Sequence, residues 1–329
     1  MKKFQVFGFI LCMVGIALWQ IDAFAVKTTV LTFLSMNPDT VGAGLVMAMA
    51  GVAAPFPTDQ KYISVAVAYK NGKLIADEAS PRTPTATKEF KVKKFALADG
   101  ITIPDTSVGR LGRPNVVNFG FTEDPAFCVD YALDGLVPQS DIDNAPAGYD
   151  PEAHQTESIT DLLMLDREKR VADQIFNVNN YAAANKLALA GNQQWSDFVN
   201  SDPLGNILTA LDSVVMRPNV IIFGQAVWTK FRQHPKIVKA THGNAGDSGI
   251  AARQAVAELL ELDKVLIGEG FYNSAKKGQV VVRTRLWGNF VSLICLDPLA
   301  TINGDRITFS VTAQYKNIQA GSIPDPDIG

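Results

Sequence analysis

The chain has 329 residues, of which 47% are hydrophobic and 19% are charged, and its net charge at pH 7 is −3. This composition predicts a folded protein with one large domain or two ordinary ones. The slight acidity argues against a protein that neutralises nucleic-acid phosphates along an extended site, although it is compatible with a protein that only encloses nucleic acid. Cys12, Cys128 and Cys295 are far apart and odd in number, which predicts buried free thiols rather than a disulfide framework.

The first 60 residues are apolar and carry only six charges. Two lysines precede an apolar run at residues 6–19, and a small-x-small triplet ends at Ala25. A basic start, a short apolar run and such a triplet are typical of a secretory signal. Two interpretations stay open: a signal peptide at residues 1–25, and an apolar N-terminal arm at residues 1–60 that needs a partner surface. Contact of residues 1–25 with a membrane is a further alternative, which we do not favour.

The charges that follow are sorted along the chain. Residues 61–113 hold ten Lys and Arg against five Asp and Glu, whereas residues 114–166 hold eleven Asp and Glu and no Lys or Arg. The surface of a single compact domain usually mixes both signs. Two explanations stay open: the two segments pair within one subunit, or a basic element of one copy binds an acidic element of another copy.

The pattern of apolar and polar side chains in the basic segment predicts strands. Residues 61–69 alternate apolar and polar side chains, which is typical of a half-buried strand. Residues 88–95 and 115–121 predict two further strands, and the glycines and prolines between them predict an irregular tip. These two strands indicate a long arm. Because an isolated two-stranded arm is only marginally stable in water, we expect it to lie on another surface, which its lysines predict to be acidic.

A long helix follows the acidic segment. Asp150 before Pro151 is typical of a helix start, and helical spacing of apolar side chains continues to Phe176. We therefore predict a helix over residues 151–176.

An α/β unit is predicted after this helix, because short apolar strands alternate with amphipathic helices over residues 180–274. We expect the closing strands to return to the sheet begun before the long helix, so that the α/β unit is inserted in another domain. The predicted elements are helices at residues 203–215, 225–234 and 250–262, strands at residues 220–223 and 264–267, and closing strands at residues 279–285, 289–296 and 307–315.

The sequence shows no constellation for catalysis or metal binding. His154, His234 and His242 lack the i, i+4 spacing that puts two ligands on one helix face, and we interpret them as surface or capping residues. Residues 246–249 (GDSG) match a protease nucleophile motif, but His242 is too close in sequence to serve as the base of that fold. We predict no catalytic residues, no metal, no cofactor and no enzymatic activity.

The order of six local strings is informative. They are residues 95–106 (FALADGITIPDT), 138–150 (PQSDIDNAPAGYD), 166–168 (DRE), 216–219 (MRPN), 268–271 (GEGF) and 321–329 (GSIPDPDIG). In this order they resemble one branch of the major capsid proteins of tailed bacteriophages. The resemblance covers roughly residue 62 to the last residue.

The resemblance implies an α+β capsid fold of the Hong Kong 97 type, with an extended β-hairpin loop and a long spine helix. The implied function is that of a major capsid protein that self-assembles, as hexamers and pentamers, into the icosahedral shell around the double-stranded DNA of a tailed phage. The implied parts are the N-terminal arm (1–60), a peripheral domain (61–181 and 275–329) with its extended loop (82–121) and spine helix (151–176), and an axial domain (182–274).

The implied location is the virion, assembled in the host cytoplasm. The implied partners are other copies of the chain and virion proteins such as a portal and a cement protein, while DNA is enclosed without sequence-specific binding. An exported or periplasmic binding protein and a cellular encapsulin-like nanocompartment shell are the alternatives.

In such shells the extended loop lies across a neighbouring subunit, so the resemblance favours charge pairing between subunits. The candidate intersubunit contacts are Lys88, Lys91, Lys93, Lys94, Arg110, Arg113, Asp130, Asp134, Asp141, Asp143, Glu152, Glu157 and Asp161.

Overall fold

The structure is a computed structural model that describes residues 7–11, 59–68, 72–95, 101–118, 120–243, 248–302 and 306–321. Most of the expected N-terminal arm, residues 246–247 of the GDSG string and the tail at residues 322–329 lie outside the described residues. Helices and strands are mixed along the chain, which confirms the α+β class.

The elements have the following bounds. The helices are α1 (Gln60–Ala68), α2 (Ala76–Ala79), α3 (Gln139–Asp143), α4 (Pro151–Ile175), α5 (Pro203–Asp212), α6 (Gln225–Phe231), α7 (Pro235–His242) and α8 (Arg253–Leu260). The strands are β1 (Phe7–Leu11), β2 (Arg82–Thr85), β3 (Glu89–Phe95), β4 (Phe121–Phe127), β5 (Lys186–Leu189), β6 (Val220–Gly224), β7 (Lys264–Gly268), β8 (Phe271–Asn273), β9 (Arg283–Arg285), β10 (Phe290–Ile294) and β11 (Thr312–Tyr315). No described helix is long and apolar enough to cross a bilayer.

A five-stranded sheet organises the α/β unit, with the strand order β5-β1-β10-β6-β7. Strand β6 pairs in parallel with β7 and antiparallel with β10. All five residues of β6 are buried, as expected for a strand that is covered on both faces. Phe223 of this strand contacts Trp228 and Phe231 of α6, and Trp195 packs on Phe231. The α/β unit therefore has an aromatic core of its own.

A second core surrounds the long helix α4. Val171 and Ile175 of this helix pack with Trp287 and with buried residues of the segments at 75–79 and 309–313. Strand β11 pairs in parallel with β2, which precedes α4 in the chain. The prediction that the chain returns to a sheet begun before the long helix is confirmed for this strand.

Helix α4 agrees with the predicted helix to within one residue. Oδ1 of Asp150 accepts hydrogen bonds from the backbone N–H groups of Glu152 and Ala153, both at 3.1 Å. Pro151 lies in the first turn, where its missing N–H costs nothing. At 1.5 Å per residue the helix is about 37 Å long.

The strand predicted at residues 61–69 is wrong, since these residues form helix α1. Ala66 is buried and Ile63, three residues before it, is half-buried, which is helical spacing. Nζ of Lys61 lies 2.7 Å from Oδ2 of Asp150 at the start of α4. The apolar side chains of this segment fit both the two-residue period of a strand and the 3.6-residue period of a helix. Contact with α4 favours the helix.

The arm strands are shifted relative to the prediction. Strand β3 matches the prediction at residues 88–95, but its partner is β4 at Phe121–Phe127 and not residues 115–121. Pro125 lies opposite Lys91 in this ladder. A proline discourages the prediction of a strand, yet a two-stranded ribbon has outer edges on which a missing N–H is tolerated.

Strand β10 also differs from the expectation. Residues 289–296 were expected to join the outer sheet, whereas Phe290–Ile294 pairs with β6 inside the α/β unit. The sheet of the α/β unit thus extends beyond residues 182–274. Continuous burial of Val291, Leu293 and Ile294 is typical of a central strand.

Candidate intersubunit interface

The base of the arm is anchored in the subunit. Val92 of β3 and Ala126 of β4 are each 3% exposed and belong to the core around α4. Cys128, just after β4, is buried in the same core, and burial raises the pKa of its thiol. The marginal stability of a two-stranded ribbon is therefore offset at this end by packing within the same chain.

The tip of the arm, residues 101–118, has the opposite character. Each of these residues is exposed. Ile103, Leu111 and Val116 are 93%, 95% and 95% exposed, and Arg110 and Arg113 lie among them. Soluble monomers seldom leave so many large apolar side chains together in water, so the tip has the properties of a surface that another molecule covers.

An acidic strip, defined here as residues 133–143, lies beside α4. Asp134, Asp141 and Asp143 are exposed in it. Leu133 and Leu136, 43% and 64% exposed, add apolar surface. Short α3 forms the end of the strip, where Asp143 accepts a hydrogen bond from Nε2 of Gln139 at 2.8 Å. The strip combines negative charge with exposed leucines.

Part of the sorted charge pairs within one subunit. Lys88 lies 2.7 Å from Asp130, and Lys91 lies 2.9 Å from Glu123 across the β3–β4 ladder. Lys61 bridges Asp150 at 2.7 Å and Glu152 at 3.6 Å. The explanation by internal pairing therefore holds for several residues that were expected to contact a neighbour, including Lys88, Lys91, Asp130 and Glu152.

The remaining candidates differ in their surroundings. Arg110, Arg113, Asp134, Asp141, Asp143 and Glu157 are exposed and form no ion pair with the part of the chain that the structure describes. Lys93 lies with Nζ 4.8 Å from the centre of the Phe121 ring, and Asp161 is half-buried on α4. The side chain of Lys94 lies outside the described residues. The charges of the six residues named first are therefore not neutralised by an ion pair with the described residues.

Two adjacent buried charges, Arg167 and Glu168, join the second core. Arg167 is 2% exposed, and its guanidinium lies 2.6 Å from Oδ1 of Asp77. It also donates to the carbonyl of Ser80 at 3.1 Å and to Oγ1 of Thr312 at 3.2 Å. The arginine thus ties α4 to the segment before β2 and to the closing strand β11.

Glu168 is fully buried and completes this junction. Its carboxylate accepts hydrogen bonds from the backbone N–H groups of Ile75 at 3.0 Å and Ala76 at 2.7 Å. It also accepts a hydrogen bond from Nε1 of Trp287 at 2.6 Å. Because Ile75 and Ala76 lie far before Glu168 in sequence and Trp287 lies far after it, one carboxylate ties both segments to α4.

The pKa values of the junction follow from burial and pairing. Burial lowers the pKa of Arg167 to about 10, while Asp77 opposes this shift, so the guanidinium stays charged at neutral pH. Burial raises the pKa of Glu168, and its three donors partly oppose that shift. Burial alone would raise the pKa of Asp77, but Arg167 and Arg82 hold it below the usual 3.8.

Residues 166–168 stand out in the sequence only as a local string, and the junction was not predicted. A signal was present, because Arg167 lies four residues after Leu163 and four before Val171, on the buried stripe of α4. The partners Asp77, Trp287 and Thr312 carry no such signal, since they become neighbours only in the folded chain.

A buried histidine and serine lie together in the α/β unit, but their geometry does not suit catalysis. Nδ1 of His234 accepts the backbone N–H of Lys236 and caps α7, as the capping interpretation predicted. The proton of the neutral ring is then on Nε2, which lies 3.1 Å from Oγ of Ser201. A nitrogen that already carries a proton cannot accept one from the serine. Within the described residues no group of His, Cys, Asp and Glu could hold a metal ion.

Comparison with known proteins identifies the class. Residues 163–277 match the model of the phage major capsid protein E family. The major capsid protein of Pseudomonas phage JBD67 is 48% identical over 277 residues, which cover 84% of this chain and 89% of that protein. The major capsid protein of Burkholderia phage BcepMu is 24% identical over 237 residues, covering 70% and 73%. The chain belongs to the phage major capsid proteins, and the virion is its location.

A solved structure supports the fold. The crystal structure of a phage-related protein from Bordetella bronchiseptica RB50 matches with a TM-score of 0.57 at 21% identity, over 77% of this chain and 81% of that chain. At this identity the match concerns the fold alone. It agrees with the mixed helices and sheets described above.

Proposed function

We propose that this chain assembles with copies of itself into an icosahedral shell, built of hexamers and pentamers, around the double-stranded DNA of a tailed phage. The 48% identity to a phage major capsid protein supports this function. Its role in the shell is structural, with no reaction of its own. The virion is filled in the host cytoplasm, and other virion proteins, such as a portal and a cement protein, join the shell there.

The fold in this proposal is of the Hong Kong 97 type. Helix α4 is the spine of the peripheral domain, and strands β3 and β4 with the tip between them are the extended loop. The sheet around β6 is the core of the axial domain, which in this proposal extends beyond residues 182–274 to include β10. The continuous burial of β6 and the separate core around α4 support this division.

The exposed tip is the observation that carries the proposal. Its base is buried in the subunit, whereas Ile103, Leu111 and Val116 are almost fully exposed. Burying one such side chain stabilises a contact by about 1.5–3 kcal/mol. A neighbouring subunit that covers the tip gains this stabilisation at each of the many equivalent contacts of a shell, so weak individual contacts suffice.

Charge supports the enclosure of DNA without tight binding. The chain has a net charge of −3, and a shell that does not neutralise phosphates allows DNA to move in and out. Encapsidated DNA is then held by the closed wall rather than by specific contacts.

The direct test is to express the full chain and to analyse it by sedimentation and negative-stain electron microscopy. We expect megadalton hollow particles, or rings of five and six subunits, whose assembly increases with protein concentration. A chain that stays monomeric at every concentration and salt tested would contradict the proposal. Particles purified from infected cells should contain DNA, whereas particles that contain only protein cargo would favour a nanocompartment shell.

A further inference from the structure

Residues 271–285 form a second two-stranded hairpin. We call it the basic ribbon. Strands β8 and β9 pair antiparallel, and the backbone N–H of Ser274 donates to the carbonyl of Val282 at 3.0 Å. Oδ1 of Asn273 accepts the N–H groups of Ala275 at 3.1 Å and Val282 at 3.0 Å. These bonds hold the base of the ribbon in one conformation.

The ribbon presents apolar surface to water. Val280, Val281 and Val282 are 88%, 65% and 52% exposed. Three consecutive exposed β-branched residues beside a two-stranded edge are costly in a free monomer and typical of a segment that a partner covers. The function proposed above places the arm tip at a neighbour but leaves these valines unexplained.

The charge of the ribbon limits its partner. It contains Lys276, Lys277, Arg283 and Arg285 and no Asp or Glu. Arg285 lies over the Phe271 ring at 4.6 Å, while Lys276, Lys277 and Arg283 are exposed and form no ion pair within the described part of the chain. Pairing of two ribbons edge to edge would place like charges together and is therefore disfavoured.

The acidic strip is complementary to the ribbon in both charge and apolar character. Its exposed Asp134, Asp141 and Asp143 are opposite in charge to the exposed lysines and arginine of the ribbon. Its exposed Leu133 and Leu136 offer apolar surface to the three valines. We propose that the basic ribbon of one copy docks on the acidic strip of a second copy. This inference rests on the proposed self-assembly.

The two surfaces are separate patches of one subunit. Tyr272 in the ribbon contacts Lys169, and Tyr131, just before the strip, contacts Arg170, so both surfaces start near the end of α4. The strip then runs back along the helix, since Gly135 lies against Gln155 and Ile159. A subunit that carries two different complementary surfaces makes heterologous contacts, which close into rings or continue into a lattice.

The test is a charge swap in the full chain. The ribbon variant Lys276→Glu, Lys277→Glu, Arg283→Glu and the strip variant Asp134→Lys, Asp141→Lys, Asp143→Lys should each raise the concentration needed for assembly at least about tenfold. The chain that carries both sets of changes should regain assembly. Circular dichroism checks that each variant is folded. If the single sets assemble like the unmodified chain, or if the folded double set fails to recover, the docking proposal is wrong.

A cross-link separates this proposal from the one on which it rests. Chains with Val281→Cys are mixed with chains with Leu136→Cys, oxidised, and analysed for a disulfide-linked heterodimer. The unmodified chain and a pair of Val281→Cys with Val199→Cys, which is 84% exposed in the α/β unit, are the controls. Shells without the specific cross-link would contradict only the docking. A specific cross-link without shells would contradict only the proposed shell.

Discussion

At the scale of single residues, the junction of Arg167 and Glu168 explains how one helix holds distant parts of the chain. The two side chains are neighbours in sequence but serve different partners, Arg167 toward Asp77 and Thr312, and Glu168 toward Ile75 and Trp287. Burying a charge is tolerated only when its hydrogen bonds are made, and here they are. Loss of Glu168 leaves three donors without their acceptor, whereas loss of Arg167 leaves Asp77 still paired with Arg82.

Replacing Glu168 should destabilise the subunit strongly. Glu168→Ala leaves the indole N–H of Trp287 and two backbone N–H groups without an acceptor, which should lower the free energy of unfolding by about 3 kcal/mol. The control is Glu157→Ala on the exposed side of the same helix, with an expected change within about 0.5 kcal/mol. Urea titration followed by tryptophan fluorescence measures both. Equal effects of the two variants would contradict the role of the junction.

His234 should make the stability of the α/β unit dependent on pH. Burial lowers the pKa of its imidazole below the usual 6.5, so the folded state favours the neutral ring. The unfolded state then binds more protons between the folded pKa and 6.5, and the stabilising effect is complete above 6.5 and lost as the pH falls below it.

The measurement compares the chain with His234→Asn from about pH 8 to about pH 5.5. Asparagine can still accept the N–H of Lys236 and cap α7, but it does not titrate. We expect the unmodified chain to lose more stability on acidification than the variant does. Identical pH dependence of the two urea midpoints would show that His234 does not contribute.

At the scale of elements, sequence patterns predict the long and locally determined ones. Helix α4 has its own cap at Asp150, and β6 is a continuous apolar run that ends at Gly224, so each is determined by neighbouring residues. The apolar side chains of residues 61–69 fit the repeat of a strand as well as that of a helix, and the contact of this segment with α4 decides for the helix. The strand partners of β10 and β11 depend on long-range pairing, which no local pattern encodes.

The candidate interface was predicted only in outline. The basic and acidic segments were recognisable from charge alone, but which lysines pair inside the subunit depends on the β3–β4 register. A shift of that register changes every partner, because successive side chains of a strand point to opposite faces. The basic ribbon was not predicted as an interaction surface, because three valines before Arg283 are typical of an ordinary buried strand.

The ends of β6 and β7 should tolerate no added side chain. A Cβ at Gly224 would lie 2.2 Å from the carbonyl oxygen of Gly288 and 2.7 Å from that of Trp287, and backbone atoms cannot rotate away. Gly224→Ala should lower the free energy of unfolding by about 3 kcal/mol. Gly72→Ala, where nothing lies within 4 Å of the added Cβ, is the matched control and should be nearly neutral. Thermal melts that do not distinguish the two variants would contradict this packing.

At the scale of the whole molecule, ion pairs within the subunit limit which charged residues can attract another copy. Lys88 and Lys91 are already paired with Asp130 and Glu123, so reversing them mainly disturbs their own subunit. Arg110 and Arg113 in the exposed tip form no ion pair with the described residues, so in the proposed shell we expect their charges to attract a neighbour. Contacts between exposed charges weaken as salt screens them.

Reversal of the tip charges should therefore impair assembly without unfolding the subunit. Arg110→Glu with Arg113→Glu should slow assembly and reduce its dependence on salt, whereas Arg110→Lys with Arg113→Lys keeps the charge and should assemble nearly normally. Light scattering at several salt concentrations follows both, and thermal melts check the fold. Unchanged kinetics of the Glu variant would mean that the tip binds through its apolar residues alone.

The pairing of β2 with β11 has a consequence for the timing of synthesis. Arg167 needs the hydroxyl of Thr312, which follows it by 145 residues, and Ser80 needs the same hydroxyl across 232 residues. The strands β3 and β4 of a nascent chain are therefore synthesised well before the core that anchors them can close. A copy whose β11 has not yet been synthesised offers no closed core to a neighbour's arm, so we expect the proposed assembly to follow the synthesis of that strand.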